Sequence, residues 1–240
     1  MTASNAAPDA HPRLPLTIEE AIRGRQSIRA FEQRPVPRDL VKRVLETAHR
    51  APSGSNIQPW KVYVVDGEAR RVLCDEILAR YDTAGEDKRE YNYYPVTWRE
   101  PYLARRRACG WGLYGTLGIT RDDKKGMHEQ RRQNFDFFGA PTGLVFTIER
   151  DMEVGSWLDC GMFVQSVMIA AREFGLETCP QAAFANFHAI IRRRLQIPDA
   201  EIVICGMALG YPEPGAKVNT FRTEREPFDV YGRFVDKLAD

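Results

Sequence analysis

A long, mostly apolar segment at residues 155–174 constrains the fold of this chain more than any other part of it. Its composition predicts a helix, and Gly175 is expected to end that helix. A helix that is apolar around most of its surface has to be covered on several sides. Asp159 and Gln165 interrupt the apolar stretch 157–171, which is too short to span a bilayer. The segment therefore predicts a helix in the core or at a subunit interface.

Predicted helices outnumber predicted strands, and the strands are dispersed along the chain. A capping-box pattern from Thr17 to Glu20 begins the first helix, and Gly24 is expected to end it. Pro37 opens a second helix, whose apolar stripe runs to Ala48. Because strands do not alternate regularly with helices, the sequence predicts an α+β fold. Strands are predicted at residues 60–65, 143–148 and 201–209, a short strand and loop at 176–183, and further helices at 68–81, 101–118, 123–138 and 187–195.

The chain is expected to form one domain. Its 240 residues can bury a substantial core, and the sequence contains no repeat, linker or low-complexity tract. The polar, proline-rich segment 1–14 is expected to be flexible and lacks the apolar stretch of a secretory signal. Within the single domain at 15–240, residues 82–135 form a helical and aromatic excursion, and residues 211–240 form a C-terminal arm.

Charge and cysteine content exclude several classes of partner. The formal net charge is +1, so the chain as a whole has no electrostatic attraction to nucleic acid or to an anionic membrane. The five cysteines are widely spaced and contain no CxxC pair, which argues against a disulfide framework or a structural zinc site. Reduced thiols fit a cytoplasmic protein. The sequence therefore predicts a soluble cytoplasmic chain that binds neither nucleic acid nor membrane.

Basic and polar side chains cluster directly after the first helix. Arg25, Ser27 and Arg29 alternate in the segment RQSIR, so in extended backbone all three point to one side. Two guanidinium groups and a hydroxyl can hold an anion, although a solvent-exposed basic turn would give the same pattern. Two further arginines, Arg222 and Arg225, lie in the C-terminal segment NTFRTEREP. These pieces predict parts of one site for a phosphate-bearing cofactor.

A polar loop precedes the first predicted strand. An ordinary connection between a helix and a strand seldom carries so many hydroxyl and amide side chains, and the backbone N–H groups of such a loop suit a phosphate-bearing ligand. Gly54 permits a tight turn within it. The loop is therefore predicted to belong to the same site. Its polar residues are Ser53, Ser55, Asn56 and Gln58.

No acid–base or metal-binding motif is recognisable in the sequence. The four histidines are scattered, and HExxH, Walker A, GxGxxG and GxSxG motifs are absent. Cys179 has no histidine nearby in sequence to activate it, which favours a packed cysteine over a nucleophile. The segment Glu177–Gln181 that contains it follows the apolar helix and can present backbone N–H groups toward a ring. A redox cofactor that performs its own chemistry would need no acid–base residues.

Taken in order along the chain, these segments resemble the FMN-dependent nitroreductase family, and in particular its nitrobenzoate-reductase type. The resemblance covers about Thr17 to Tyr231. It implies a nitroreductase-like fold, with a mixed central β-sheet flanked by helices, and an intertwined homodimer with FMN sites at the interface. It also implies NADH or NADPH as the electron donor. The similar segments are RQSIR, PSGSNIQPW, RRQNFDFFGAPTGLVF, GSWLDCGMFVQSVMIAA, GLETCPQAAF and GYPEPGAKVNTFRTEREP.

The resemblance assigns a role to each part of the site. The phosphate and ribityl chain would lie against the first basic segment, and Arg225 would close on the phosphate from the tail. Many members have lysine where this chain has Thr223, so Arg222 is expected to substitute for it. Arg29 would lie beside the N1/C2=O edge of the flavin. The remaining assignments are Arg25, Gln26 and Ser27 to the phosphate end, Pro52, Ser53, Gly54 and Asn56 to the partner subunit's contribution, and Thr178, Cys179, Pro180 and Gln181 to the ring near N5.

The implied reaction is ping-pong hydride transfer from nicotinamide through flavin N5 to a nitroaromatic or a similar small, flat acceptor. No side chain would be catalytic, and no metal would be bound. Arg29 would stabilise the negative charge of reduced flavin in a pocket of low dielectric constant. The aromatic residues at 91–98 and 135–138 are expected either to form the acceptor wall or to pack in the dimer. The alternatives are quinones or activated alkenes as acceptors, reductive dehalogenation, and a non-enzymatic flavin-binding protein.

Overall fold

The computed structural model of the protein describes residues 16–237, so the segment 1–14, predicted to be flexible, lies outside the described residues. Helices and strands occur close to the positions predicted from the sequence. The helices are α1 (Ile18–Gly24), α2 (Arg38–Ala48), α3 (Gly67–Ala84), α4 (Tyr102–Leu117), α5 (Lys124–Arg132), α6 (Val154–Glu173), α7 (His188–Leu195) and α8 (Phe228–Tyr231). The strands are β1 (Trp60–Asp66), β2 (Thr142–Glu149), β3 (Glu177–Gln181) and β4 (Glu201–Gly210), and short 3₁₀ turns cover Gly54–Asn56, Gln133–Gly139, Ala182–Phe187 and Lys217–Thr220.

The four strands form one sheet in the order β1-β2-β4-β3, and each neighbouring pair is antiparallel. At the outer edge of β3, Ser27 forms an isolated parallel bridge with Thr178. That bridge lies outside the four strands, so the sheet described for residues 16–237 is antiparallel and not mixed as predicted. The α+β class is confirmed, and the edge beside β3 is where the segment after α1 joins the sheet.

The sheet separates two hydrophobic cores, because alternate residues of a strand face opposite sides. On β2, Phe146 contributes to the core beneath α2 and α6, whereas Val145 contributes to the core beneath α3 and α7. In the first of these cores, Trp60 stacks on Phe163 of α6 with ring centroids 4.8 Å apart. Both faces of the sheet are therefore covered by helices.

Helix α6 is buried along one side and exposed along another. Phe163, Val167 and Ala171 are buried beneath the sheet, whereas Val154 and Leu158 are 81% and 70% exposed. Its 20 residues are long and apolar enough to cross a membrane by length and composition, which the shorter stretch 157–171 did not indicate. The core helix of a soluble protein meets the same criterion, and α6 packs against α2 and the sheet in that way.

A buried carboxylate joins three strands on one end of the sheet. Glu201 on β4 accepts hydrogen bonds from Tyr63 (3.0 Å) and Lys61 (3.0 Å) on β1, and from Thr147 (2.5 Å) on β2. Burial acts to raise the pKa of Glu201, but the hydrogen bonds from Thr147, Lys61 and Tyr63 outweigh it and lower that pKa. The ionised carboxylate is therefore part of the folded structure.

Two local predictions have different outcomes. The capping box of α1 is confirmed, since the Glu20 amide donates to Thr17 Oγ1 (3.2 Å) and the Thr17 amide donates to Glu20 Oε2 (2.8 Å). The helix predicted at 123–138 is wrong beyond Arg132, where α5 ends. Phe137 and Phe138 adopt φ angles of 48° and 53°, which no right-handed helix contains.

Two stacked aromatic rings, packed on two glycines of the sheet, hold the turn after α5 in place. Phe137 stacks on Phe184 with ring centroids 4.2 Å apart. The rings lie against Gly143 of β2 and Gly206 of β4, where a Cβ atom would come within 2.5 Å and 2.8 Å of a ring carbon, respectively. Because the sheet lacks side chains at these two positions, the aromatic turns can pack directly on its backbone.

Candidate functional site

The basic segment after α1 lies along the open edge of β3. The Ile28 amide donates to the Thr178 carbonyl at 3.0 Å, and Ile28 is buried in the core. In extended backbone, the residues on either side of Ile28 point away from that core. Ser27 and Arg29 therefore face the same side, as the alternation predicted.

Asn219 fastens the C-terminal arm to this segment. Its Oδ1 accepts hydrogen bonds from the amides of Arg29 (2.8 Å) and Ala30 (3.2 Å), and its Nδ2 donates to the Ala30 carbonyl (2.9 Å). Gln26 Nε2 donates in turn to the Asn219 carbonyl at 3.1 Å. Asn219 is not among the residues predicted for the site. Its place in the VNTFR segment, shortly before the tail arginines, is the one sequence feature that could have indicated a role there.

Arg25 is a cation without a bonded partner among residues 16–237. Its guanidinium is partly buried and makes neither a hydrogen bond nor an ion pair there. Burial, followed by the positive charge of Arg225, lowers the pKa of Arg25. A group in this position is stabilised by a bound anion, because an anion supplies both the missing hydrogen bonds and the compensating charge.

The two tail arginines lie near the end of α1. Arg222 Nη1 donates to the Gly24 carbonyl at 3.4 Å, and Arg225 Nη1 donates to Thr223 Oγ1 at 2.7 Å. Both side chains are exposed. The structure thus brings the predicted phosphate-binding arginines from the two ends of the chain to one place.

The residues assigned to the flavin ring divide into two pairs. Thr178 and Cys179 are buried in the sheet, so only their backbone is available to a ring in the open cavity. Burial raises the pKa of the Cys179 thiol to about 11, against the influence of Arg29, Ser27 and Arg25, so the thiol is protonated at neutral pH. Pro180 and Gln181 do line the cavity.

This cavity measures about 660 Å³ and lies beside the end of β3. Arg29 forms part of its wall, with its guanidinium 6.0 Å from the ring centroid of Phe138. Buried amides of Gln130 and Gln181 also line it, and Gln130 Nε2 and Gln181 Oε1 lack hydrogen-bond partners within residues 16–237. The cavity therefore offers polar atoms to a ligand with an aromatic ring and hydrogen-bonding edges.

The aromatic residues expected at the acceptor wall are only partly there. Tyr93, Tyr94 and Phe138 line the cavity. Phe135 and Phe137 are fully buried in the core, so the expectation that they contact an acceptor is wrong. Both rings are instead needed to anchor the turn after α5, which the local sequence does not reveal.

The polar loop is in a different place from the arginine cluster. Its Gly54 amide donates to Asp159 Oδ2 near the start of α6, at 3.2 Å. Arg172, at the far end of α6, donates to the Ala21 carbonyl of α1 at 2.7 Å. A rise of about 1.5 Å per residue separates the two contacts by about 20 Å along the helix. Within one chain, Pro52, Ser53, Gly54 and Asn56 therefore do not join the arginine cluster.

The chain is similar to known proteins in both sequence and structure. Residues 22–211 match the nitroreductase family. A 4-nitrobenzoate reductase from Nocardioides sp. (strain LMS-CY) is 42% identical over 241 residues, covering 97% of this chain and 98% of that protein. A chloronitrobenzene nitroreductase from Comamonas testosteroni is 37% identical over 219 residues, covering 91% and 96%. The crystal structure of the FMN and NADPH-dependent nitroreductase NfnB from Sphigopyxis sp. strain HMH is 40% identical, with a TM-score of 0.89 over 92% of this chain and 100% of that one.

Proposed function

Because this chain belongs to the nitroreductase family, we propose that it is an FMN-dependent oxidoreductase that uses NADH or NADPH to reduce nitroaromatic compounds. The observation that carries the proposal is the partly buried guanidinium of Arg25, which makes no hydrogen bond or ion pair among residues 16–237 and feels the positive charge of Arg225. Four residues along the same segment, Arg29 lines the 660 Å³ cavity. The relatives described above are nitroreductases, and one of their names includes FMN and NADPH. Site and family therefore support the same activity.

The residues present fit an FMN molecule. Arg25 and Ser27, with Gln26 between them, hold the phosphate end, and Arg222 and Arg225 approach it from the tail. A phosphate there offsets the burial and the repulsion from Arg225 that together lower the pKa of Arg25. When bound, FMN supplies the redox chemistry by accepting a hydride from the nicotinamide and passing it to the acceptor.

From its place in the cavity wall, Arg29 would stabilise negative charge on the flavin ring. Its backbone is fixed by the Asn219 side chain, and its Nη1 donates to the Ser27 carbonyl at 3.1 Å. A guanidinium held in this way stabilises negative charge on the N1/C2=O edge at little cost in reorganisation. Pro180 and Gln181, which line the cavity at the end of β3, would contact the ring. The backbone of Thr178 and Cys179 would support them.

The polar loop reaches the site from a second copy of the chain. Within one chain it lies about 20 Å from the arginine cluster along α6, and its residues are largely exposed. The exposed Val154 and Leu158 on the same helix provide an apolar surface for the partner. We infer a homodimer in which Pro52, Ser53, Gly54 and Asn56 complete the partner's FMN site.

The cellular setting follows from the chemistry. The five cysteines are all unpaired, which suits the reducing cytoplasm, and NADH or NADPH is available there. Partners are a second copy and a small aromatic acceptor, with no nucleic acid or membrane. Quinones, activated alkenes and halogenated aromatics are acceptors that flavin chemistry also permits, but no feature of residues 16–237 favours them over nitroaromatics.

The test is purification followed by cofactor and turnover assays. The protein is expected to be yellow, to release FMN on denaturation and to oxidise NADH or NADPH when 4-nitrobenzoate is added under anaerobic conditions. A colourless protein that takes up no added FMN would contradict the proposed cofactor. FMN binding without NAD(P)H oxidation would instead identify a non-enzymatic flavin-binding protein.

A further inference from the structure

The cavity contains more positive charge than an FMN ring requires. Four arginines line it, and Glu86 is the acidic residue of the wall. Glu86 is already engaged, because Arg131 Nε donates to its Oε1 at 2.7 Å and Asn186 donates to its Oε2. Arg29 serves the flavin ring in the proposed function. Arg89 and Arg106 are then left without a carboxylate partner in the described part of the chain.

These two arginines are held by neighbouring aromatic rings. The guanidinium of Arg106 lies 4.9 Å from the ring centroid of Trp98 and 5.9 Å from that of Tyr94. Arg89 lies 5.5 Å from the centroid of Tyr93, which itself contacts Tyr94 at 4.7 Å. Stacking restricts each guanidinium without consuming its N–H donors, so both are oriented in advance for an anion.

The donors of both side chains are largely unused. Arg89 Nε donates to Asn186 Oδ1, which leaves both Nη groups without a protein acceptor among residues 16–237. The Arg106 side chain makes no hydrogen bond or ion pair in that range, and its guanidinium lies against the rings of Tyr94 and Trp98. The phosphate of FMN cannot use these donors, because the proposed phosphate site is formed by Arg25 and the tail arginines.

We propose that Arg106, supported by Arg89, determines specificity by binding the carboxylate of an anionic nitroaromatic acceptor. The inference rests on the proposed function. A guanidinium fork matches the planar geometry of a carboxylate, and tyrosine rings of the same wall suit a flat aromatic body. The 2′-phosphate of NADPH is a second source of negative charge, but it is separated from the nicotinamide by most of the dinucleotide. A carboxylate on the acceptor lies within one ring of the reacting group.

The test compares an acid with its uncharged counterpart. The kcat/KM for 4-nitrobenzoate is divided by that for its methyl ester, using FMN-loaded enzyme. The Arg106→Gln variant is expected to lower this ratio by about tenfold, the value of one lost contact to a charged group, and the loss should lie mainly in KM. The Arg106→Lys variant should recover part of the ratio. Arg89→Gln, as a second variant, should lower it as well.

Arg107→Gln is the matched control, because Arg107 lies on the same helix but lines a different cavity. An acid-to-ester ratio that is unchanged in both Arg106→Gln and Arg89→Gln would overturn the inference. The rates of flavin reduction by NADPH and NADH should change by the same factor in Arg106→Gln. A loss confined to NADPH would assign Arg106 to the 2′-phosphate and also overturn it.

The wild-type enzyme separates failure of this inference from failure of the proposed function. If it reduces the ester as efficiently as the acid, the inference fails and the proposed function stands. If FMN-loaded enzyme reduces neither compound, the proposed function fails and the inference fails with it.

Discussion

Arg25 combines partial burial, a neighbouring positive charge and no bonded partner within residues 16–237. Burial and the charge of Arg225 disfavour the charged guanidinium, and the nearby negative charge of Glu177 does not offset them. The arrangement makes sense as one half of an interaction whose other half is the cofactor phosphate. The unfavourable free energy of the Arg25 guanidinium in the ligand-free protein is then relieved when the phosphate binds, which raises the affinity for the phosphate.

Replacing Arg25 by alanine is expected to weaken FMN binding. Loss of one hydrogen-bonded, charge-assisted contact corresponds to about 1.5–3 kcal/mol, or about a 10- to 100-fold increase in Kd. The measurement is titration of apoprotein with FMN, followed by quenching of flavin fluorescence. Arg23→Ala is the control, because Arg23 is exposed and paired with Glu19 on the same helix (2.6 Å). Equal Kd values for wild type and Arg25→Ala would remove Arg25 from the site.

Glu201 makes stability depend on acidic pH. Its folded pKa is lowered, so its contribution is fully present above its unfolded pKa of about 4.3 and is lost as pH falls through the folded value. The Glu201→Gln variant is expected to lose about 1–3 kcal/mol at pH 7, because glutamine offers a single uncharged oxygen to donors that now bond two carboxylate oxygens.

The free energy of unfolding, measured by urea titration from pH 7 to pH 3, tests this expectation. The variant should show a flatter decline below about pH 5 than wild type, because one titrating carboxylate is missing. Glu149→Gln is the matched control, since Glu149 also contacts Lys61 but is more exposed. Parallel pH profiles for Glu201→Gln and wild type would show that Glu201 does not titrate on unfolding.

At the scale of elements, the sequence predicts what local patterns determine. Thr17 and Glu20 encode the start of α1, and the apolar run at 155–174 encodes α6, because caps and periodicity act within a few residues. The end of α5 is different. Phe137 and Phe138 adopt left-handed φ angles at a turn where the Phe137 ring packs on Gly143 and on Phe184. The contact with Phe184, 47 residues further along the chain, cannot be seen in the local sequence.

In the site, too, some residues could be predicted from local patterns and others depend on distant contacts. Arg25, Ser27 and Arg29 were predictable from their alternation, because extended backbone places alternate residues on one side. The tail arginines were predicted from their charge, and the resemblance added their roles at the phosphate. Asn219, Arg89 and Arg106 were not predicted, since their roles depend on contacts between segments that are far apart in the chain. A residue that binds a ligand can be predicted from its own side chain and its neighbours in sequence. A residue such as Asn219, which positions another residue, cannot.

The packing of Phe137 and Phe184 on Gly143 and Gly206 gives a prediction at this scale. A Cβ atom at Gly206 would lie 2.8 Å from ring carbons of Phe184, and both residues are packed in the interior. Gly206→Ala is therefore expected to destabilise the protein by about 1–3 kcal/mol through overpacking. Thermal or urea unfolding provides the measurement. Gly115→Ala is the control, because a Cβ atom there meets nothing within 4 Å. A Gly206→Ala protein as stable as wild type would mean that the rings can shift freely.

For the whole molecule, α6 links the core to the proposed dimer. One side packs beneath the sheet, while Val154 and Leu158 stay exposed on another. The same helix contacts the polar loop near its start and α1 near its end. The polar loop and the arginine cluster, both proposed to bind FMN, are therefore held too far apart along this helix to contact one ligand in a single chain.

The Leu158→Asp substitution is expected to shift the protein toward monomer and to weaken FMN retention. A charge placed at an apolar contact has to be desolvated when the partner docks. Light scattering coupled to size exclusion reports the oligomeric state, and the flavin-to-protein absorbance ratio reports retention. Leu158→Met is the control, since it keeps the apolar surface. A Leu158→Asp protein that remains dimeric and yellow would place the interface elsewhere.

The amide of Asn219 has a consequence for biosynthesis. It ties the segment at Arg29 to one 190 residues further along the chain. A ribosome must have released the segment that contains Asn219 before the two can meet, so a nascent chain that stops short of it has no complete pocket to offer the coenzyme. Flavin capture is then expected only after synthesis has passed Asn219.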